Sequence, residues 1–343
     1  MNKRLPTLME VAKGAGVSAM TASRALGNRP GVSQETRNEV LRVAAEMGYV
    51  LNRAAQKLSG GNSRIIGVVT QELHNPFISE VIAGVGRAAR AASYEMLIYS
   101  LMDAEHSPPG SVLQLMGQIA DGVIALLPYR SEYIDTLSAT SVPVITIEHS
   151  GAQSRFPCIV TDNYTGGQLA VQHLAELGHR RIAFITGNER LASARERRRG
   201  YNDTLARFGL PRDPTLVVSG DFTQRGGNQA AHRLLAIAKR PTAIFAANDL
   251  SALGVLAALG EAGLRVPRDI SVVGFDDIPA AAQAHPALTT VRQPMEGMGR
   301  SAMNTLLAMI AGLEAAAPRI MLPTELVVRQ STGSLPPRTQ ARS

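Results

Sequence analysis

The sequence holds a single cysteine, Cys158, so no disulfide can form within the chain. Disulfide-stapled secreted scaffolds are excluded, and a reducing compartment fits. Cys158 lies in the apolar stretch 157–160, where a buried, inert thiol is expected rather than a nucleophile. No run approaches the roughly 18 apolar residues that a spanning helix requires. The first residues, MNKRLPTLMEVAKGAG, carry no apolar leader core and no small-residue cleavage site. A cytoplasmic protein without a membrane partner is predicted. The seven histidines show no paired metal spacing with cysteine, so neither a zinc site nor any other cofactor is expected. No P-loop and no nucleophile–base set is visible, which ranks an enzyme last among the function classes.

What is present is a charge asymmetry. Residues 1–61 hold nine Lys and Arg against four Glu, a net of +5 out of the chain's +7. A basic head on a nearly neutral body is the layout of a protein that neutralises phosphates at one end, although a solvated basic surface would look the same. The head reads as three short helices. Thr7 and Glu10 form a capping-box pattern before an apolar face of Leu8, Val11, Ala12 and Ala15. Gly14 and Gly16 break that helix, and Ser18 caps a second one running to about Leu26. Ser33 caps a third, with Val40, Leu41, Ala44 and Met47 apolar, until Gly48 stops it. Two short helices joined by a tight glycine turn, plus a third, make a helix-turn-helix arrangement. The second helix exposes Ser18, Ala19, Met20, Thr21, Ser23 and Arg24. Hydroxyls suit phosphate oxygens, and an arginine can address guanine N7 and O6. Residues 52–61 then offer a helix too short to stand alone, with Leu58 among polar and basic neighbours. Such a segment makes sense if it folds on DNA, with Leu58 wedged between base steps in the minor groove.

Residues 7–61 resemble the head and hinge of the lactose/galactose repressor (LacI/GalR) family. The motifs that carry the resemblance are TLMEVAKGAGVSAMTASRAL, then VSQETRNEVLRVAAEMGYVLNRAAQKLSGG, then IIGVV. It implies base contacts from Ala19, Met20 and Arg24, and phosphate contacts from Ser18, Thr21 and Ser23. Asn52, Arg53, Ala55 and Leu58 become the DNA-contacting residues of the hinge. Two departures stand out. Ala22 occupies a position where a larger β-branched residue is usual, and Leu26-Gly27-Asn28 reverses the usual Asn-Gly order.

From Arg64 onward short β-branched runs alternate with helical stretches. Nine strands are read, beginning at 65, 95, 122, 143, 159, 182, 216, 243 and 270, with helices at 77–92, 163–177, 193–208, 224–238 and 249–262. Alternation of this kind means βαβ units and an α/β body of two doubly wound parallel-sheet subdomains. The resemblance extends here to the family's effector-binding core, similar to periplasmic sugar-binding proteins. It implies one half from 64–160 plus 292–321 and another from 161–290 plus 324–330. Domains are therefore expected at 1–50 (head), 51–63 (hinge and linker) and 64–330 (core), with residues 331–343 a disordered tail.

The resemblance places effector contacts on Glu148, Arg195, Asn248 and Asp276, with Gln293 at the crossover and Asn75 and Phe77 in the cleft. Acids, amides and arginine suit a polyhydroxyl ligand, whose hydroxyls both donate and accept. Within the run Arg195–Arg199 only Arg195 is given a role, and the rest is read as solvated surface. Asp276-Asp277 is not a matched catalytic pair, because neighbours after a strand diverge. Gly84-Val85-Gly86 sits inside a helix and is read as packing rather than as a dinucleotide fingerprint. Gly178-His179 is read as a helix stop with a cation on the C-terminal dipole. No leucine heptad follows the core, so a homodimer on a pseudo-palindromic operator is expected.

The sequence as a whole thus predicts a DNA-binding transcription regulator, most simply a repressor, controlled by a small effector such as a sugar. A purine- or sugar-phosphate-responsive regulator is the alternative within the class. A transport-type solute-binding protein is the alternative outside it, disfavoured by the head.

Overall fold

The computed structural model describes residues 6–27, 30–49, 62–101, 109–126, 137–149, 155–315 and 318–335. The chain forms two compact units, Met1–Ser63 and Arg64–Ser343.

The first unit comprises α1 (Leu8–Gly14), α2 (Ala19–Leu26) and α3 (Gln34–Met47). A hydroxyl caps each helix and takes up an N–H that the helix leaves unpaired. Thr7 Oγ1 accepts from Glu10 N, while Thr7 N donates back to the Glu10 carboxylate at 2.6 Å. Ser18 and Ser33 accept from Thr21 N and Thr36 N. Gly48 ends α3 in the left-handed conformation at φ 67°. The core is Val11, Ala12, Ala22, Ala25, Val40, Val43 and Ala44. The expected α3 stripe is corrected at two positions. Leu41 and Met47 are 46% and 39% exposed, and Val43 is buried instead. Val43 follows Val40 by three residues and so shares its face, whereas Leu41 is turned about 100° away. Small side chains let the helices approach: a Cβ on Gly14 would stand 2.9 Å from Val43 Cγ1.

The second unit runs β1 (Ile65–Thr70), α4 (Pro76–Ala91), β2 (Glu95–Ser100), α5 (Pro109–Ile119), β3 (Gly122–Leu126), β4 (Val144–Ile147) and β5 (Cys158–Thr161). It continues with α6 (Asn163–Glu176), β6 (Ile182–Ile185), α7 (Ala192–Arg207), β7 (Val217–Val218), α8 (Gln224–Ala236), β8 (Ala243–Ala246), α9 (Asp249–Glu261) and β9 (Ser271–Asp276). Last come α10 (Pro279–Gln283), β10 (Thr289–Arg292), α11 (Met295–Ile310), β11 (Arg319–Leu322) and β12 (Glu325–Val327). These build two six-stranded sheets, ordered β11-β5-β4-β3-β1-β2 and β12-β10-β9-β8-β6-β7. All neighbours are parallel except β10 and β12. The chain passes between the sheets three times, after β5, after β10 and after β11. Central strands such as β3, β4 and β8 are buried along their whole length, because helices cover both faces of a parallel sheet.

Helix α4 holds Gly84 in its interior, where a Cβ would run into the backbone carbonyl of Glu296 at the start of α11. The glycine serves helix packing and opens no phosphate-binding turn.

Two local expectations are corrected. Residues 331–335 are tied down and do not begin a disordered tail. Ser331 Oγ donates to Val272 O at 2.6 Å and accepts from Thr289 N at 2.8 Å, while Val272 N donates to Ser331 O. Short hydroxyl side chains here satisfy polar backbone that the sheet leaves open. Residues 336–343 lie outside the described residues. His179 is buried, with Nδ1 facing Thr242 Oγ1 and Nε2 facing Gly333 O, each at 3.0 Å. Burial lowers its pKa, so it is a neutral hydrogen-bonding residue rather than a cation on a helix dipole.

Candidate nucleic-acid interface and ligand cleft

On the head, α2 presents the predicted set. Ser18 Oγ lies 2.8 Å from Thr21 Oγ1, so the two hydroxyls form one polar cluster at the helix start. Met20 is 66% exposed, Arg24 is also exposed, and Ala19 and Ser23 are half-buried. An unbranched apolar side chain and a guanidinium standing clear of their own helix can both reach a groove. Arg37, from α3, donates to Ala25 O at 3.0 Å and so fixes the far end of α2. Asn52, Arg53, Ala55 and Leu58 lie outside the described residues.

In the second unit the strand C-termini converge, the position at which parallel sheets receive ligands. Glu148 follows β4 in a left-handed conformation, φ 56°. Its Oε1 accepts from Thr161 N at 2.8 Å and from Thr161 Oγ1 at 2.7 Å, and its Oε2 accepts from Asn163 Nδ2 at 3.2 Å. Thr161 Oγ1 also stands 2.5 Å from Gln293 Oε1, and Gln293 Nε2 donates to Asp276 Oδ1 at 2.6 Å. Arg197 closes the ring from α7. Its Nε donates to Asn163 Oδ1 at 2.8 Å and its Nη1 to Ala247 O, with Asp276 Oδ1 3.6 Å away. The guanidinium lies 3.7 Å from the centroid of the Phe275 ring. Six buried polar side chains from both halves therefore form one network that spans two of the crossings.

Burial dominates the electrostatics. It pushes Asp276 up to about 6, against the Arg197 charge and the Gln293 hydrogen bond that favour its carboxylate. Asp249, which accepts from Thr290 Oγ1 and Ile278 N, is pushed well up by burial and by the Asp276 charge. Burial likewise lowers Arg197, opposed by Asp276 and Glu148.

A cavity of about 490 Å³ opens beside this network, lined among others by Glu148, Thr161, Asn163, Ser193 and Arg195. Of the predicted residues, Glu148, Asp276 and Gln293 share the network. Arg195 lines the cavity, with Nη1 donating to the carbonyls of Glu189 and Arg190. Asn248 caps α9 through Ser251 N and donates to Phe222 O at 2.9 Å, holding that aromatic residue 5.7 Å from the Arg197 guanidinium. Asn75 caps α4 through Phe77 N, and Phe77 is a core residue. Asp277 turns away to Arg292 and Arg329, so the adjacent acids do diverge.

The reading of Arg197 as solvated surface is overturned. The buried face of α7 is Ser193, Ala194, Arg197, Gly200, Tyr201, Thr204 and Leu205. Arg197 sits on the helical period set by Ala194 and Tyr201, a signal that the arginine run obscured. Thr161, Asn163 and Phe222 were missed as well.

A helix-turn-helix head and a two-sheet body with a polar cleft define a DNA-binding regulator with a ligand-receiving domain. The chain belongs to the lacI family of bacterial regulatory proteins. That family's model matches residues 7–52, and a periplasmic binding protein-like domain matches 171–332. The HTH-type transcriptional repressor CytR of Escherichia coli (strain K12) is 34% identical over 333 residues, 96% of this chain and 97% of that protein. The HTH-type transcriptional regulator CelR of Thermobifida fusca is 37% identical over 341 residues, covering 96% of this chain and 99% of its own length. The Lac repressor dimer, solved bound to operator and the anti-inducer ONPF, superposes with a TM-score of 0.85 at 33% identity. That match covers 96% of this chain and 100% of the repressor chain. The protein is a transcription regulator, not an enzyme. Among the described residues no helix is long and apolar enough to cross a membrane.

Proposed function

We propose that this regulator is a cytoplasmic homodimeric repressor that binds a pseudo-palindromic operator and is released or recruited by a small polyhydroxyl effector, a sugar or sugar derivative. The observation that carries the reading is the buried network joining Glu148, Thr161, Asn163, Arg197, Asp276 and Gln293 across the two halves. The Thr161 hydroxyl has one proton for two acceptors, Glu148 Oε1 and Gln293 Oε1. When that proton serves Glu148 Oε1, which also accepts from Thr161 N, Gln293 Oε1 has no other donor among the described residues, and a ligand hydroxyl can supply one. Related regulators support the class of ligand: a solved CelR structure is a cellobiose complex, and a LacI-family regulator from Enterococcus faecium holds ribose.

At the head, Ser18, Thr21 and Ser23 hold phosphates while Ala19, Met20 and Arg24 meet base edges. Asn52, Arg53, Ala55 and Leu58 complete the interface from the hinge, with Leu58 as the minor-groove wedge. In the cleft, Glu148, Arg197, Asp276 and Gln293 bind the effector's hydroxyls, with Arg195 on the rim and Asn248 placing Phe222 against a ring face. Asn75 and Phe77 shape the opposite wall. Effector binding shifts the balance between open and closed halves and so the grip on DNA.

A thermal-shift screen of the full-length protein against mono- and disaccharides tests the assignment, followed by operator binding with each hit. A ligand at a hundredfold excess over Kd adds about 2.7 kcal/mol to apparent stability. Stabilisation together with altered operator affinity is expected, and a ligand that does neither at saturating concentration is no effector. On DNA, Arg24→Ala should relax readout at one guanine per half-site, by about 1–3 kcal/mol. An equal loss on all sequences would mark Arg24 as a phosphate contact.

A further inference from the structure

The cavity beside the network has two chemically different walls. Its inner wall is polar through Thr161, Asn163 and Glu148, whose donors are spent within the network and which therefore present acceptors. Its outer wall is arginine-rich: Arg195 and Arg199 from α7 and Arg319 from β11, beside Tyr164. The acids that share the cavity are already engaged. Both Glu148 oxygens accept from Thr161 and Asn163, and Asp162 Oδ1 accepts from Thr165 N. Glu196 is paired with Arg199 at 2.9 Å.

The arginines keep capacity in hand. Arg319 is exposed on an edge strand, and its side chain makes no hydrogen bond or ion pair within the described residues. Arg195 uses only Nη1, which leaves Nε and Nη2 free among the described residues. Arg199 stacks over Tyr164 at 4.2 Å from the ring centroid, which fixes the plane of its guanidinium; Nη2 is held by Glu196, and Nε and Nη1 have no partner among the described residues. Arg195 and Arg199 are four residues apart on one helix and share a face. An arginine donates and never accepts, so such a wall matches an anion better than a hydroxyl, which needs both.

We propose that the effector carries an anionic group, a phosphate or a carboxylate, received by Arg195, Arg199 and Arg319 while its hydroxyls face Glu148, Thr161 and Asn163. This rests on the reading of the cleft as the effector site. Arg319 belongs to the half built on the first sheet, and Arg195 and Arg199 to the half built on the second. The anionic group therefore bridges the halves, and its charge drives closure in addition to the hydroxyl contacts.

The test uses the full-length protein and matched probes: glucose, glucose 6-phosphate and glucuronate, then ribose, ribose 5-phosphate and ribonate, measured by titration calorimetry. At least one anionic member should bind tenfold or more tightly than its neutral parent, and its affinity should fall as salt is added. Preference for the phosphate or for the carboxylate identifies the group. Arg319→Gln and Arg199→Gln should each weaken the anionic ligand about tenfold and leave the neutral parent unchanged. Arg233→Gln, which removes an exposed charge from α8, should change neither, and a loss there would reduce the effect to net charge. Neutral sugars binding as tightly as their anionic partners, or Arg319→Gln leaving the anionic ligand untouched, would overturn the proposal while the effector cleft stands. If none of the six probes binds, the cleft reading for these scaffolds falls and the proposal falls with it.

Discussion

Every buried side chain in the core cluster of the head is valine or alanine, with Leu8, Leu26 and Tyr49 packed at its edge, and hydroxyls at the surface cap its helices. The body buries four ionisable side chains near one another: Glu148 at 6% exposure, Arg197 at 4%, Asp249 at 0% and Asp276 at 5%. Taking a charge out of water costs several kcal/mol even after relaxation, and apolar packing of similar volume would often be more stable. A core of valine and alanine needs no explanation beyond stability. A charged interior beside a cavity does need one, and the effector site proposed above would provide it. On that proposal the contrast separates residues kept for packing from residues kept for recognition.

The most damaging way to probe it is Arg197→Leu. Asp276 would stay buried beside Glu148 without its counter-charge, and about 3–5 kcal/mol of body stability should be lost. Arg197→Leu combined with Asp276→Leu should recover much of that loss while effector stabilisation remains absent. Denaturant melts with and without effector measure both quantities. A single variant as stable as the parent would mean that the network carries no electrostatic balance, and the contrast with the head would lose its basis.

Next in size is Val40→Ala in the head, which deletes buried methyls from a core with little else to fill the space. About 2 kcal/mol is expected from transfer and cavity terms together. The loss should appear as weaker operator binding at elevated temperature, with the effector-induced shift of the body unchanged. If effector affinity fell in parallel, packing and recognition would not be separable by region.

How much of this was legible beforehand follows the same division. The caps Thr7, Ser18 and Ser33 and the stop at Gly48 are local devices, and local devices can be read from a linear string. The central strands were legible because burial on both faces leaves continuous β-branched runs. Helix α11 and strands β10 to β12 carry weaker patterns and complete the two sheets only through long-range pairing. The cleft was half visible. Glu148 and Asp276 stand at strand ends, where position alone suggests a role. Arg197 lies inside a run of arginines, and only its neighbours Ala194, Gly200 and Tyr201 show that this face turns inward. Thr161 and Asn163 look like an ordinary strand end and helix start until Glu148, thirteen and fifteen residues earlier, is placed against them.

A smaller effect is expected at the caps. Ser33→Ala removes the acceptor for Thr36 N and should cost about 1 kcal/mol of head stability. Ser33 is not among the residues assigned to DNA, so specificity among operator variants should hold while overall affinity falls. Ser18→Ala breaks a similar cap but should also remove a phosphate contact, which lowers the salt slope of binding by about one unit. Equal salt slopes for the two variants would deny Ser18 its place on the backbone of the duplex.

The smallest effect concerns pH and falls on a polar group that the body buries for structure. His179 is held between Thr242, Ser271 and the carbonyl of Gly333, and burial keeps its folded pKa below the ordinary imidazole value. The unfolded chain therefore takes up a proton at a pH where the folded chain does not. The stability contributed by the neutral ring is complete above pH about 6.5 and is lost as pH falls through the folded value. His179→Gln keeps a polar side chain that does not titrate, so the stability difference between parent and variant should narrow on acidification below that point. His173, which faces Thr332 and is shifted in the same direction, is present in both proteins and cancels in the difference. A difference that stays flat from pH 7 to 5 would show that protonation is tolerated in place. Thr242 offers the means, since its hydroxyl can turn to Arg181 O at 3.4 Å and accept from a protonated Nδ1. That outcome would move His179 from the packing side of the comparison to the adaptable, site-like side.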